Sequence, residues 1–353
     1  MTWVVWKMDR VRLGRTGLMV SRIGFGGIPI QRVSEEDAVA VVNHCLGYDI
    51  NFIDTAASYT TSEVRIGKAL KTHNRKDIII ATKSGARDAE KLAEHLARSL
   101  KQLSVDYIDL YQFHGVNDLE FLEKVLAPDG PMAVVQKAKK DGIIKHVGIS
   151  CHAKDAAIKA IETDLFETLM FPFNFVTSEP AEEILPLCRK HDVGFIAMKP
   201  MAGGMLDNVP IAFKYLLQFP DVVPLVGIEK TREIDEIVGI MNKPWRLTTA
   251  EKHELARMKK ELGKEFCRRC DYCQPCPAEI KISSVMGFAG FAKRMPAISV
   301  YEGWVSPLME KVYDCQDCGE CEERCPFKLP VRQLIKKYAD QYKAGKEAYH
   351  KQK

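Results

Sequence analysis

The chain has 353 residues, 46% hydrophobic and 28% charged, with a formal net charge of +4. That length accommodates one (β/α)₈ barrel of about 250 residues and a smaller appended module. The small charge, with no basic run interleaved with aromatics, argues against nucleic acid as a partner, and no apolar stretch reaches the ~18 residues that span a bilayer, which argues against a membrane.

The opening stretch MTWVVWKMDR has too short an apolar patch for a signal peptide and lacks a small-residue cleavage site, so a cytoplasmic protein is expected. Trp3 and Trp6 are expected to cap the bottom of a barrel or to lie in a loose terminus. Short β-branched runs then predict strands over 22–26, 52–54, 78–83, 107–114, 146–150, 168–171, 194–198 and 222–226. Amphipathic helical patterns such as 35–47, 89–103, 132–140 and 182–191 lie between them. Strands alternating with helices in this way predict a parallel sheet covered on both faces, and eight such units favour closure into a (β/α)₈ (TIM) barrel. An open dinucleotide-binding sheet would need G-x-G-x-x-G after the first strand, whereas Gly24-Phe25-Gly26-Gly27 lacks the third glycine.

A polar helical segment over 248–262 ends at Gly263, after which cysteine, proline and glycine rise and hydrophobic periodicity fades. The expected division is therefore a barrel over 1–262 and a small, mainly helical module over 263–353. The Lys-rich helical pattern over 331–353 reads as a solvated face.

In such a barrel the reacting groups sit at the C-terminal ends of strands. Asp54 ends the second predicted strand and opens Asp54-Thr55-Ala56-Ala57-Ser58-Tyr59; Lys83 ends the third and His114 the fourth. Hydride delivery to a carbonyl carbon builds negative charge on the oxygen, so an acid must donate a proton there. A free tyrosine, with a pKa of about 10, is a reluctant donor, and a nearby ammonium such as Lys83 lowers that value by stabilising the phenolate. Asp54 would hold the Lys83 charge, and His114 would orient the oxygen or share the proton relay. A structural ion pair in a barrel mouth is the competing reading of Asp54 and Lys83.

From about Arg12 to Val238 the chain resembles the aldo-keto reductases. The resemblance is carried by Asp54-Thr55-Ala56 with Tyr59, Thr82-Lys83, Asp109-Leu110-Tyr111 leading to His114, and Lys139-Lys140-Asp141-Gly142 followed by His146-Val147-Gly148-Ile149-Ser150. It implies a catalytic tetrad of Asp54, Tyr59, Lys83 and His114, with Tyr59 as the acid. It also implies nicotinamide contacts from Gly26, Ser150, Asn174, Met198 and Lys199, with Cys151 and Met198 departing from the residues usual at those places. The stretch Val226-Gly227-Ile228-Glu229-Lys230-Thr231-Arg232-Glu233 corresponds to the family's adenosine-phosphate loop. There Gly227, Lys230 and Arg232 would meet the cofactor, Lys230 and Arg232 would neutralise a 2′-phosphate, and Glu229 and Glu233 would repel one. NADPH is expected, with NADH as the alternative.

Of eleven cysteines, Cys45, Cys151 and Cys188 are dispersed and read as small core or pocket residues. The other eight form Cys267-x₂-Cys270-x₂-Cys273-x₂-Cys276-Pro277 and Cys315-x₂-Cys318-x₂-Cys321-x₃-Cys325-Pro326. Clustering at this spacing points to metal rather than disulfides. Both groups resemble the bacterial ferredoxin pattern, in which the fourth cysteine ligates the other cluster. The resemblance implies two [4Fe–4S] clusters, one on Cys267, Cys270, Cys273 and Cys325, the other on Cys315, Cys318, Cys321 and Cys276. Zinc, which favours separated C-x₂-C pairs, is the alternative metal. Some aldo-keto reductases resemble this chain in carrying a ferredoxin-type tail.

The expected function is an oxidoreductase that reduces an aldehyde or ketone, or runs the reverse, on a small-molecule carbonyl or alcohol substrate. The clusters would carry single electrons to or from a redox partner protein, or clamp the fold; hydride moves two electrons and a cubane one, so direct exchange needs an intermediary such as a flavin or a radical-tolerant substrate. The alternative is a ferredoxin-like electron-transfer subunit whose barrel is not an active carbonyl reductase.

Overall fold

The computed structural model describes residues 8–351, so the expectations for Trp3 and Trp6 lie outside the described residues. It divides into two compact units, Met1–Ala202 with Leu206–Leu247, and Gly203–Met205 with Thr248–Lys353. This division falls at the start of the helix Thr249–Leu262, whereas the sequence placed the boundary at its end.

The first unit begins with an antiparallel pair, β1 (Arg10–Arg12) and β2 (Met19–Ser21). Eight parallel strands follow: β3 (Gly24–Gly26), β4 (Phe52–Asp54), β5 (Ile79–Ser84), β6 (Ile108–Phe113), β7 (Ile144–Ser150), β8 (Thr168–Pro172), β9 (Gly194–Met198) and β10 (Val222–Gly227). They close in the order β10-β3-β4-β5-β6-β7-β8-β9. The predicted barrel is thus the observed one. Every residue of β3, β4, β5, β6 and β8 is buried, as a sheet covered on both faces requires.

Helices over Glu35–Gly47, Ala89–Leu103 and Leu119–Leu126 start where a side chain satisfies a free amide: Ser34, Asp88 and Asp118 accept from Asp37, Lys91 and Phe121. The β1–β2 pair supplies Val11, Leu13 and Val20 to an apolar cluster with Phe52, Ile79, Leu110, Met170, Ile196 and Val223 near the N-terminal starts of the strands. It therefore fills the bottom of the barrel. Gly14 in its turn has φ +53°, and a Cβ there would stand 2.1 Å from the Gly194 amide nitrogen, so only glycine fits.

Glu167 joins β7 to the start of β8, its carboxylate reached by Lys139 at 2.6 Å, His146 at 2.7 Å and the Val147 amide at 2.9 Å. Burial opposes its charge, but hydrogen bonds from His146, Lys139 and Val147 hold it at about 2 against an ordinary 4.5. A depressed folded pKa gives stability that is complete above pH 4.5 and lost as pH falls towards 2. Glu167→Gln should therefore lower the melting temperature at pH 7, with the gap to wild type closing over that acid range. A gap independent of pH, read by circular dichroism, would contradict this.

The second unit is a set of short helices, Ile282–Val285, Phe288–Arg294, Ala297–Tyr301, Val305–Glu310 and Glu320–Glu323, followed by the long helix Val331–Lys351. Its core joins Val285, Phe288, Met309, Leu334, Ile335 and Tyr338 to Cys321 and Cys325. Thr248 and Glu251 form a capping box at the start of Thr249–Leu262, a helix that buries no residue.

Candidate functional site

At the C-terminal end of the barrel, adjacent parallel strands bring four predicted residues together. Asp54 ends β4, Lys83 lies one residue before the end of β5, and His114 follows β6, its amide bonded to the Ser84 carbonyl at 2.8 Å. Asp54 and Lys83 are 1% and 2% exposed and form an ion pair. Lys83 also donates to the Thr55 carbonyl at 2.7 Å. The half-buried Tyr59 sits in the loop after β4, with its ring centroid 5.1 Å from Lys83 Nζ and a hydrogen bond to Lys83. The His114 ring lies edge-on to Tyr59, centroids 5.8 Å apart at 83°.

Burial alone would lower the Lys83 pKa, but the Asp54 and Tyr59 charges and hydrogen bonds to both leave it raised. Burial raises the Asp54 carboxyl against the pull of Lys83 and a hydrogen bond from Gln112. The result is a phenol with an ammonium on one side and an imidazole on the other. Sequence reasoning passed over Gln112, whose Nε2 donates to Asp54 Oδ2 at 2.9 Å. Gln112 lies within β6, two positions before His114, and only this bond to Asp54 marks it.

The residues matched to nicotinamide contacts also gather at this end. Gly26, Ser150, Met198 and Gly227 each end a strand; Asn174 and Lys199 follow β8 and β9, and Lys230 and Arg232 stand exposed at the start of the helix Thr231–Met241. Ser150 Oγ accepts from the Gly115 amide at 2.9 Å, which leaves its own proton to donate. Asn174 is committed locally: its oxygen accepts from the Val176 and Thr177 amides and its nitrogen donates to the Lys199 carbonyl, each at 2.9 Å. One amide hydrogen is left for a ligand. Glu233 accepts from the amides of Glu229 and Lys230 at 2.8 and 3.1 Å, while Glu229 pairs with Arg32 at 2.9 Å. Both acids are thus engaged within the chain. Ser150 and the exposed Lys230 and Arg232 fit a pyridine nucleotide, and Asn174 fits it less well.

Cys45, Cys151 and Cys188 lie in the barrel unit's apolar clusters, and burial pushes all three thiols up, Cys188 to about 12. These are inert core thiols.

In the second unit the structure gathers the other eight cysteines around two recesses. One is lined by Cys267, Cys270, Cys273 and Cys325 together with Met286, Phe327 and Val331. The other is lined by Cys276, Cys315, Cys318 and Cys321 together with Ile280 and Ile335, and Cys273 reaches it as well. Among the described residues no three His, Cys, Asp or Glu groups are placed to hold a single metal ion. Thiols arrayed around an apolar-walled recess fit a multi-iron body whose corners each take one thiolate. Burial pushes Cys270 and Cys321 up to about 11, so ligation there would release protons.

Comparison with known proteins agrees with both halves. Residues 22–210 match the model of the Aldo/keto reductase family, and residues 266–330 match that of the 4Fe-4S dicluster domain. The chain is 30% identical over 299 residues to a Glycine max protein described as "Probable aldo-keto reductase 1", covering 67% of this chain and 85% of that one. It is 32% identical over 222 residues to the Arabidopsis thaliana L-galactose dehydrogenase, covering 57% and 68%. Among solved structures it superposes on the holo form of aldo-keto reductase AKR11C1 from Bacillus halodurans with a TM-score of 0.63 at 25% identity, covering 71% of this chain and 96% of that one. No described helix is long and apolar enough to cross a membrane.

Proposed function

Because the chain belongs to the aldo/keto reductase family and carries a 4Fe-4S dicluster domain, we propose that this oxidoreductase reduces an aldehyde or ketone with NADPH, or runs the reverse, at the strand ends around Tyr59. The observation that carries this reading is the buried Asp54–Lys83 pair set against the Tyr59 ring, with His114 edge-on beside it. Ser150 and its neighbours would hold a nicotinamide, which would supply the hydride. Tyr59 donates its hydroxyl proton to the carbonyl oxygen as negative charge builds there, and Lys83 stabilises the phenolate left behind. Asp54 and the Thr55 carbonyl fix the ammonium. His114 orients the substrate oxygen. In the reverse direction the Tyr59 phenolate takes the proton from an alcohol.

With Glu229 paired to Arg32 and Glu233 capping its own helix, Lys230 and Arg232 set the local charge in favour of a 2′-phosphate. NADPH should bind at least about tenfold more tightly than NADH, and Arg232→Ala should remove about that factor for NADPH alone. Titration by nucleotide fluorescence reads this, and equal losses for both nucleotides would count against a phosphate contact.

For residues 263–353 we propose two [4Fe–4S] clusters, one on Cys267, Cys270, Cys273 and Cys325 and one on Cys276, Cys315, Cys318 and Cys321, that hold the segment's fold. A second reading is a ferredoxin-like electron-transfer subunit with an inactive barrel, favoured by the exposure of Cys318 and the committed Asn174 amide. Anaerobic NADPH oxidation with a panel of aliphatic and aromatic aldehydes and ketones separates the two. Turnover supports the reductase, and a fully iron-loaded chain inert to the whole panel favours the electron carrier.

A further inference from the structure

Gln112 is wholly buried in the barrel, in register with Lys83 on β5 and with Gly148 on β7. The missing side chain of Gly148 gives it room, since a Cβ there would stand 3.1 Å from Gln112 Cγ and 2.2 Å from Thr168 Oγ1. Lys83 holds Asp54 Oδ1, and Gln112 Nε2 donates to Oδ2 at 2.9 Å. Each carboxylate oxygen thus has its own donor, supplied from neighbouring strands. Among the described residues Gln112 Oε1 has no hydrogen-bond partner, so there the donation to Asp54 is the one bond this buried amide makes.

We propose that Gln112 is a positioning residue that keeps Asp54 ionised and so keeps the Lys83 ammonium against Tyr59. The proposal rests on the reading of Tyr59 and Lys83 given above. A buried carboxylate persists as an anion only when its lone pairs are matched by donors. With Oδ2 left bare, the low-dielectric pair relaxes by moving one proton from Lys83 Nζ to Asp54, and the neutral amine no longer stabilises a phenolate. The other groups facing this centre are Thr55 and Tyr59 from the loop after β4 and His114 after β6. Glu63, on the helix Ser62–Leu70, accepts from Thr82 at 2.6 Å and acts on Lys83 through space, with Arg98 acting on Glu63. Asp54 Oδ2 takes its donor from Gln112.

The test is an ultraviolet titration of tyrosinate absorbance in the iron-loaded full chain, with the Tyr59 contribution isolated by subtracting the Tyr59→Phe protein. In Gln112→Met the Tyr59 signal should develop at a pH higher by about one unit or more, a tenfold or larger change in ionisation constant and the scale of one lost charge-assisted hydrogen bond. In an Asp54→Asn background the same substitution should add no further shift. Gln112→Asn keeps an amide but withdraws it from reach; it serves if the methionine protein does not fold, with the same shift expected. An unmoved midpoint, or an equal shift on Asp54→Asn, overturns the proposal. The reading beneath it fails by a different sign, undiminished NADPH oxidation by Tyr59→Phe, so the two failures cannot be confused.

Discussion

Tyr59→Phe is expected to lower carbonyl-dependent NADPH oxidation by about 10²- to 10⁴-fold, the usual contribution of a positioned general acid. NADPH affinity should stay within about twofold, because the lost hydroxyl serves the reacting oxygen and not the cofactor. The ring and its packing remain: phenylalanine keeps the edge-on contact with His114 and the face towards Lys83. The substitution therefore removes a proton donor with little else. A fall in NADPH affinity matching the fall in rate would reassign Tyr59 to binding, and unchanged turnover would remove it from the chemistry.

The second large effect belongs to the cysteine unit. Its helices Ile282–Val285, Phe288–Arg294, Ala297–Tyr301, Val305–Glu310 and Glu320–Glu323 are too short to persist alone, since isolated helices below about 12 residues are marginal in water. Cys321 and Cys325 lie inside the unit's apolar core, so emptying the recesses opens that core to water. Binding free energy at such a site is folding free energy. The anaerobically prepared chain should hold about eight irons, two cubanes' worth. Removing them with a chelator should expose 264–330 to protease while the barrel fragment survives. A zinc-only preparation would reject the clusters, and an unchanged digestion pattern would deny them a part in the fold.

The barrel was legible because its periodicity is strong. The helices at 35–47 and 89–103 and the strands at 52–54 and 194–198 coincide with their predicted spans. Other strands slipped by one or two residues, as β3 did, because Arg22 and Ile23 are buried without entering the ladder. The β1–β2 pair was not anticipated. Its strands are three residues each, too short to establish a period. The helix Thr249–Leu262 was visible as a helix but not as part of the second unit, since a helix that buries no residue carries no sign of what it belongs to.

At the candidate site the strand-end rule pointed to Asp54, Lys83 and His114, with Tyr59 in the run that Asp54 opens, and the family resemblance marked Tyr59 as the acid. Gln112 was missed for a chemical reason: an amide carries no charge and matches no catalytic motif, and only its bond to Asp54 gives it meaning. The engagement of Asn174 by Val176, Thr177 and Lys199 was equally hidden, because it depends on how two loops fold back on one side chain.

In the proposed mechanism Tyr59 and Lys83 act as one unit. Single-turnover NADPH oxidation at saturating cofactor and aldehyde, compared among wild type, Tyr59→Phe, Lys83→Met and the double variant, measures this directly. Residues that act together lose their function once, so the double variant should be no slower than the slower single variant. Losses that multiply in the double variant would mean that phenol and ammonium work independently, and the proton-donor mechanism proposed for this barrel would be wrong.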